Sequence, residues 1–302
     1  MDAPVEFVKG LLPSIVNIHA QVPKQHPSTR ILGDERMGSG VIVDAAGGLV
    51  LTVNYVVMGA STIDVAPLKG RRVRAEVVAQ DFEQGYALLR VKRQGLTAAA
   101  VGVARAPERG DPVIAIASSG VREVRVAGGL VTYIGEFEAY WEYLLDRGIV
   151  TSAPNPGFGG GGLFTLAGRL IGILSLNLNE IARSSLAIPV DCYLEHAEEL
   201  LRYGRVVTRP RRAWLGVFAH AMDEGVVIAG LVPGGPGDKG GLREGDMVVS
   251  VNAEGISSRR DLYMRLWRHE PGERLTLEVM RDNAVRRLEV TGGDRAEFFR
   301  QI

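Results

Sequence analysis

The sequence predicts a mainly β protein of two domains, in which a large strand-rich domain precedes a small α+β domain. Short segments rich in β-branched residues recur between residues 14 and 190, separated by Gly, Pro and Asp turns. The chain has 38 glycines in 302 residues, which favours turn-rich β structure over a helical bundle. A basic segment interrupted by proline, Gly204–Arg212, is typical of an interdomain linker.

The predicted elements of the first domain are nine strands and two helices. Alternating or β-branched patterns predict the strands Ser14–Ala20, Val41–Val43, Leu49–Val53, Val73–Ala79, Ala87–Val91, Val113–Ala117, Val124–Tyr133, Leu170–Leu176 and Leu186–Ile188. A short helix is expected at Val5–Leu11, and a second at Val190–Tyr203 between Pro189 and Gly204. The predicted boundaries are 1–203 for the first domain, 204–212 for the linker, 213–292 for the second domain and 293–302 for a C-terminal tail.

Composition excludes several classes of function. Lys and Arg number 35 and so do Asp and Glu, and a balanced charge gives no reason to expect nucleic acid as a partner. The single cysteine, Cys192, rules out a disulfide framework within the chain and any multi-cysteine metal site. We expect neither a metal nor a cofactor. The N-terminal residues do not form a signal peptide, and no apolar run is long enough to span a membrane. The expected location is cytoplasmic, or periplasmic or membrane-anchored if the natural protein carries a leader or anchor.

Three motifs follow one another in the first domain. The segment GSGVIVD (Gly38–Asp44) precedes LTVNYVV (Leu51–Val57), GYALL (Gly85–Leu89) comes next, and NPGFGGG (Asn155–Gly161) precedes a predicted strand. Their order and spacing resemble the HtrA family of trypsin-like serine proteases. The resemblance implies a trypsin-like double β-barrel.

The same resemblance places three residues at the positions of the family's catalytic triad. Tyr55 stands where the family has histidine, Gly85 where it has aspartate, and Gly159 where it has the nucleophilic serine. Serine-type cleavage needs a hydroxyl, an imidazole to take its proton and a carboxylate to orient the imidazole. Glycine offers no side chain, and a phenol with a pKa of about 10 is a poor base at neutral pH. The expectation is a catalytically degenerate pseudoprotease that is not an enzyme.

The loop around the lost nucleophile has two interpretations. Backbone N–H groups of Gly157, Phe158 and Gly159 are candidates for a remnant oxyanion hole that holds a peptide carbonyl or carboxylate without cutting it. Alternatively, the glycine-rich loop has collapsed and Tyr55 and Phe158 fill the vacant space. The nearby hydroxyls and the histidines of the first domain, at positions 118, 119, 151, 152, 19 and 26, show no spacing that predicts a rebuilt catalytic pair.

The second domain resembles a bacterial PDZ domain. Its segment WLGVF (Trp214–Phe218) is similar to the carboxylate-binding loop and the first groove strand, and VPGGPG (Val232–Gly237) and the Gly245-Asp246 turn match later elements. The resemblance implies peptide binding by β-augmentation, with candidate contacts from Trp214, Leu215, Gly216, Val217 and Phe218. A helix at Ser258–His269 is expected to bury Leu262 and Leu266. A closed PDZ module that binds nothing is the alternative.

The sequence leaves three hypotheses of function. The first is a non-catalytic HtrA-like protein that binds protein C-termini or unfolded segments as a scaffold, regulator or chaperone-like sensor in protein quality control. The second is a serine-type endopeptidase with an unconventional active site. The third is a structural partner that associates with itself or with an active HtrA-type paralogue.

Overall fold

A computed structural model describes residues 3–102, 105–178 and 183–300. Packing divides the chain into two compact units. The first unit holds the chain up to Lys24, Ser28–Phe137 and Leu145–Val207. The second unit holds Gln25–Pro27, Glu138–Leu144 and the chain from Thr208 onward. Two short segments from the N-terminal half of the sequence therefore belong to the C-terminal unit.

The first unit begins with a closed β-barrel. Its strands are β1 (Ile15–Gln21), β2 (Glu35–Asp44), β3 (Leu49–Val53), β4 (Thr62–Pro67), β5 (Val73–Asp81) and β6 (Tyr86–Val91). They pair in the order β1-β2-β3-β6-β5-β4, and β4 returns to β1. Every residue of β3 is buried, since this strand lies between β2 and β6. Closure leaves this barrel no exposed edge strand.

A second β-system follows. Its strands are β7 (Ala100–Val101), β8 (Pro112–Gly120), β9 (Glu123–Ala139), β10 (Tyr143–Thr151), β11 (Gly162–Thr165), β12 (Arg169–Asn177) and β13 (Ser185–Pro189). The order is β11-β8-β9-β10-β13-β12-β7, and β11 also pairs with β12, which closes the ring. Buried Leu163, Ile171 and Leu174 contribute to its core. The two closed systems confirm the predicted trypsin-like fold.

The helices of the first unit are short. They are α1 (Ala3–Leu11), a 3-10 helix (Leu12–Ser14), α2 (Thr29–Leu32), α3 (Asn54–Val57), α4 (Asp191–Leu194) and α5 (Ala197–Tyr203). The single helix predicted at Val190–Tyr203 is wrong in one respect, because it is divided into α4 and α5. His196 lies between them with a non-helical φ of −121°. Gly204 ends α5 in the left-handed region at φ 71°, where glycine carries no steric penalty.

The second unit is the small α+β domain that the sequence predicts. Its strands are β14 (Val217–Met222), β15 (Gly225–Leu231), β16 (Met247–Val251), β17 (Glu254–Gly255), β18 (Arg274–Arg281) and β19 (Ala284–Thr291), and its helices are α6 (Pro236–Lys239), α7 (Arg259–Leu266) and α8 (Arg295–Phe298). The sheet order is β14-β15-β16-β18-β19, and β17 pairs with β16. Leu262 and Leu266 of α7 are buried in the core, as expected from their spacing.

The residues expected to form a C-terminal tail are partly helical. Helix α8 begins after Asp294, whose side chain accepts a hydrogen bond from the Glu297 N–H. Phe298 and Phe299 pack on the Trp214 ring at centroid distances of 5.0 and 5.5 Å. Within the residues that the structure describes, no helix is long and apolar enough to cross a membrane.

Candidate catalytic cleft and peptide-binding groove

The fold brings together the three positions predicted to correspond to a catalytic triad. Tyr55 lies on α3 directly after β3, and the adjacent Asn54 N–H donates to the Gly85 carbonyl at 2.8 Å. The Tyr55 hydroxyl extends over Gly159, where a Cβ atom would overlap it. The geometry therefore collects these residues in one cleft. Their roles stay a prediction from the motifs.

The Tyr55 hydroxyl has a fixed hydrogen bond. It donates to the Ser175 carbonyl at 2.8 Å. Burial raises the pKa of the Tyr55 phenol above its ordinary value, because the phenolate would lose its hydration. The phenol is therefore neutral at physiological pH, and its proton is donated in the hydrogen bond to the Ser175 carbonyl. This state does not equip Tyr55 to accept a proton from a nucleophile.

Several backbone groups of the loop at Gly157–Gly159 form hydrogen bonds with other groups of the protein. The Gly157 N–H donates to Asn155 Oδ1 at 3.2 Å, and the Phe158 N–H donates to the Ser118 carbonyl at 2.8 Å. The Gly159 carbonyl accepts from the Ser39 N–H at 2.7 Å. An anion at this loop would have to compete with the acceptors of Gly157 and Phe158. The arrangement favours the collapsed interpretation of the loop, with Tyr55 in the vacant space.

Two of the hydroxyls considered from the sequence, those of Ser118 and Thr151, have backbone acceptors. Ser118 Oγ donates to the Gly120 carbonyl at 2.8 Å, and Thr151 Oγ1 donates to the Leu130 carbonyl at 2.9 Å. His19 Nε2 lies 2.7 Å from Glu35 Oε1. His26 belongs to the second unit, where Nε2 lies 3.1 Å from the Phe299 carbonyl. These contacts do not pair a histidine with any of the hydroxyls.

The second candidate site is the loop before β14, in the second unit. The N–H groups of Leu215, Gly216 and Val217 point at one carboxylate, that of Glu142. Gly216 has φ 77°, a conformation that favours glycine and turns successive N–H groups toward one point. Three donors from consecutive residues thus converge on one carboxylate, and the role of this loop in binding a peptide terminus stays a prediction.

The five predicted groove residues have different roles in this arrangement. Leu215, Gly216 and Val217 supply the donors, and the Phe218 ring packs against Tyr140 at 5.9 Å. Trp214 uses its backbone N–H elsewhere. It exchanges two backbone hydrogen bonds with Gly293, and its ring packs against α8. Trp214 thus supports the loop from behind.

Sequence reasoning missed Glu142 and Tyr263. Glu142 is 3% exposed, and burial raises the pKa of its carboxyl while the N–H donors of Val217 and Leu215 oppose the shift. Tyr263 of α7 donates to the Ala139 carbonyl at 2.6 Å and accepts from the Glu142 N–H at 3.0 Å. The only sequence signal was an acidic residue between aromatic residues in AYWEY (Ala139–Tyr143).

Comparison with known protein families bears out both domains. Residues 38–173 match the trypsin-like peptidase domain, and residues 213–291 match the PDZ domain. The first match contains the cleft described above, and the second contains the donor loop. Among solved structures, the chain is similar to one described as the HtrA-type protease AlgW with decapeptide. That similarity covers 97% of this chain and 99% of the other, with a TM-score of 0.56 and 27% identity.

The chain is similar in architecture to HtrA-type proteases of known structure, with a trypsin-like domain followed by a PDZ domain. A serine endoprotease from Yersinia pestis is also similar, at 25% identity and a TM-score of 0.58 over 97% of this chain and 98% of the other. Among curated proteins, a probable periplasmic DegP-like serine endoprotease of Ectopseudomonas mendocina is 32% identical over 92% of this chain and 60% of its own length. The serine endoprotease DegS of Haemophilus influenzae is 29% identical over 89% of this chain and 81% of its own length. The chain thus spans about 60% of the DegP-like relative.

These names correct one prediction and leave another without support. The prediction that this chain is not an enzyme is contradicted, because the similar proteins are named serine endoproteases. The label of pseudoprotease has no support from them. The DegP-like relatives are named periplasmic, which does not support the expected cytoplasmic location.

Proposed function

We propose that this chain binds protein C-termini or unfolded peptide segments through its PDZ domain. The observation that carries the proposal is the convergence of the Leu215, Gly216 and Val217 N–H groups on one carboxylate. Hydrogen bonds from three backbone donors to a charged acceptor are strong and are insensitive to the side chain of the ligand. They suit a group that every protein carries, its terminal carboxylate.

The strand β14 supplies the rest of the proposed binding mode. A peptide that adds to the edge of β14 would exchange backbone hydrogen bonds with residues of that strand while its carboxylate lies at the loop. β14 is an edge strand because only β15 pairs with it in the sheet order of the second unit. Affinity would then come from backbone bonds and selectivity from the side chains beside Phe218.

A C-terminal peptide library titrated against the full chain tests this proposal. Each binding peptide is compared with the same peptide bearing a C-terminal amide, which changes the carboxylate and nothing in the protein. We expect the amide to lower affinity by about tenfold or more, because three charge-assisted bonds are weakened. Gly216→Trp is the protein control and should abolish binding. Equal binding of acid and amide would contradict the proposal.

A second candidate function is a serine-type endopeptidase with an unconventional active site. The names of the similar proteins favour it. We propose that Tyr55, Gly85 and Gly159 hold the triad positions, so that cleavage would depend on a nucleophile other than residue 159. This function would be supported if casein-cleaving activity co-purifies with the chain and persists in the presence of serine-directed inhibitors. A mock purification from the same host is the control, and turnover equal to the mock would exclude it.

The cellular setting belongs to the same proposal. Periplasmic DegP-like relatives favour a role in protein quality control in the periplasm, as a regulator, scaffold or chaperone-like sensor of misfolded chains. Association with itself or with an active HtrA-type paralogue is a further proposal. Affinity purification of the tagged chain tests this association. We expect an intact protease subunit to be recovered in a fixed ratio to the tagged chain.

A further inference from the structure

The peptide groove of the second unit already contains a segment of the chain. Glu138–Leu144 belongs to this unit, although in sequence it includes the turn between β9 and β10. Glu142 Oε1 accepts from the Gly216 N–H at 2.6 Å and the Val217 N–H at 2.9 Å, and Oε2 accepts from the Leu215 N–H at 3.1 Å. Its side-chain carboxylate thus takes the bonds proposed for a peptide terminus.

The backbone of the same segment also follows the binding mode of a peptide. The Ala219 N–H, on β14, donates to the Tyr140 carbonyl at 2.6 Å. The Tyr140 ring lies over β14, with centroids 5.9 Å from Phe218 and 5.1 Å from His220. Carboxylate capture and a backbone bond to the edge strand occur together, as β-augmentation requires.

Contacts from α7 and α8 hold the segment in this position. The Tyr263 hydroxyl joins the Ala139 carbonyl and the Glu142 N–H, and Arg295 Nη1 donates to the Glu142 carbonyl at 3.2 Å. Arg259 Nη2 pairs with Glu138 Oε1 at 2.9 Å. Glu142 has φ 54°, which a residue with a side chain adopts at a cost. The surrounding contacts compensate for this strain.

We propose that Glu138–Leu144 is an internal pseudo-ligand of the PDZ groove, and that peptides bind by displacing it. This inference rests on the proposed peptide-binding function and adds its regulation. A tethered segment competes at an effective concentration of the order of millimolar. The apparent affinity for an external peptide is lowered by the fraction of molecules in which the groove is occupied. The bound and displaced states would thus form a two-state element that responds to C-termini.

The test is peptide binding to the full chain with and without the internal carboxylate. The probe is a fluorescent decapeptide ending in Ala-Tyr-Trp-Val with a free carboxylate, which copies Ala139–Trp141 and ends in a terminal carboxylate. We expect Glu142→Gln to bind this probe at least about tenfold more tightly than the unmodified chain, because an amide is a weaker acceptor for the three N–H groups. Glu136→Gln removes an exposed carboxylate on β9, the strand that precedes the turn, and it should bind like the unmodified chain.

Three outcomes separate this inference from the proposed function. Tighter binding by Glu142→Gln alone supports both. Equal affinity of Glu142→Gln and the unmodified chain overturns the pseudo-ligand and leaves peptide binding in place. No binding by any variant overturns peptide binding and this inference with it.

Hydrogen exchange gives a second measurement that does not depend on Glu142→Gln folding normally. In the unmodified chain, saturating probe should speed exchange at the Glu142 N–H, because displacement breaks its bond to Tyr263. The Gly216 N–H should stay protected, because the probe's carboxylate replaces Glu142. Unchanged exchange at Glu142 in the presence of bound probe would overturn displacement.

Discussion

At the residue scale, the packing of Tyr55 against Gly159 controls what the cleft can hold. A Cβ atom at position 159 would overlap the Tyr55 hydroxyl, which is bonded to Ser175. We therefore expect Gly159→Ser alone to leave casein turnover unchanged and to lower the free energy of unfolding by about 1–3 kcal/mol. Turnover and urea denaturation of the same preparation measure the two effects. A rise in turnover would show that a serine at this position is functional.

The Tyr55→Phe background is the matched control for that substitution. Removing the hydroxyl opens the space that the Cβ of residue 159 would enter, so Gly159→Ser should destabilise this variant less than the unmodified chain. The difference between the two costs is a coupling energy, which we expect to be about 0.5–3 kcal/mol for residues in contact. Additive costs would mean that Tyr55 does not limit position 159.

Residue by residue, the sequence predicted the cleft better than the groove. The motifs containing Tyr55, Gly85 and Gly159 flank buried strands, and barrel pairing of β3 with β6 brings the first two together. Their proximity follows from strand order. Glu142 lies in a turn, and its partners are more than 70 residues later in the chain, at Leu215–Val217. Nothing in the local pattern of AYWEY specifies a partner so distant.

At the element scale, a buried ion pair joins the Gly245-Asp246 turn to β18. Arg281 Nε and Nη2 lie 2.6 and 2.7 Å from the two oxygens of Asp246, whose side chain is fully buried. Burial alone would raise the pKa of Asp246, but the bonds and charge of Arg281 and the Arg243 N–H lower it below its ordinary value. A carboxyl with a lowered pKa stabilises the fold above its unfolded pKa, and loses that contribution as pH falls through the folded pKa.

Arg281→Lys tests this pair because lysine cannot make the bidentate contact. We expect a loss of about 1–3 kcal/mol in the free energy of unfolding at pH 7, and a shrinking difference from the unmodified chain below about pH 4 as Asp246 becomes protonated. Arg287→Lys is the control, since Arg287 pairs with Glu289 on the exposed face of β19. Its effect should stay within about 0.5 kcal/mol. Equal effects of the two variants would contradict the assignment.

At the scale of the whole molecule, the two units have separate hydrophobic cores and one unit holds every tryptophan. Trp141, Trp214 and Trp267 are the three tryptophans of the chain, and all belong to the second unit. The sequence predicted two domains from its composition and from the linker. It placed Trp141 in the first domain, because each domain was predicted as one continuous range of residues. The second unit instead includes Glu138–Leu144, which contains a turn between two strands of the first-domain sequence.

Because all three tryptophans lie in the second unit, fluorescence can follow the unfolding of that unit. Leu262 lies in the core of the second unit and Leu163 in the core of the first, and both are almost completely buried. Each Leu→Ala substitution should cost about 2–5 kcal/mol, because it removes buried methyl groups and leaves a cavity. Leu262→Ala should lower the denaturation midpoint seen by tryptophan fluorescence. Leu163→Ala should lower the denaturation midpoint of a transition seen by far-ultraviolet circular dichroism. The midpoint seen by tryptophan fluorescence should change far less. If Leu163→Ala shifts both signals equally, the two cores unfold as one cooperative system and fluorescence reports the whole chain.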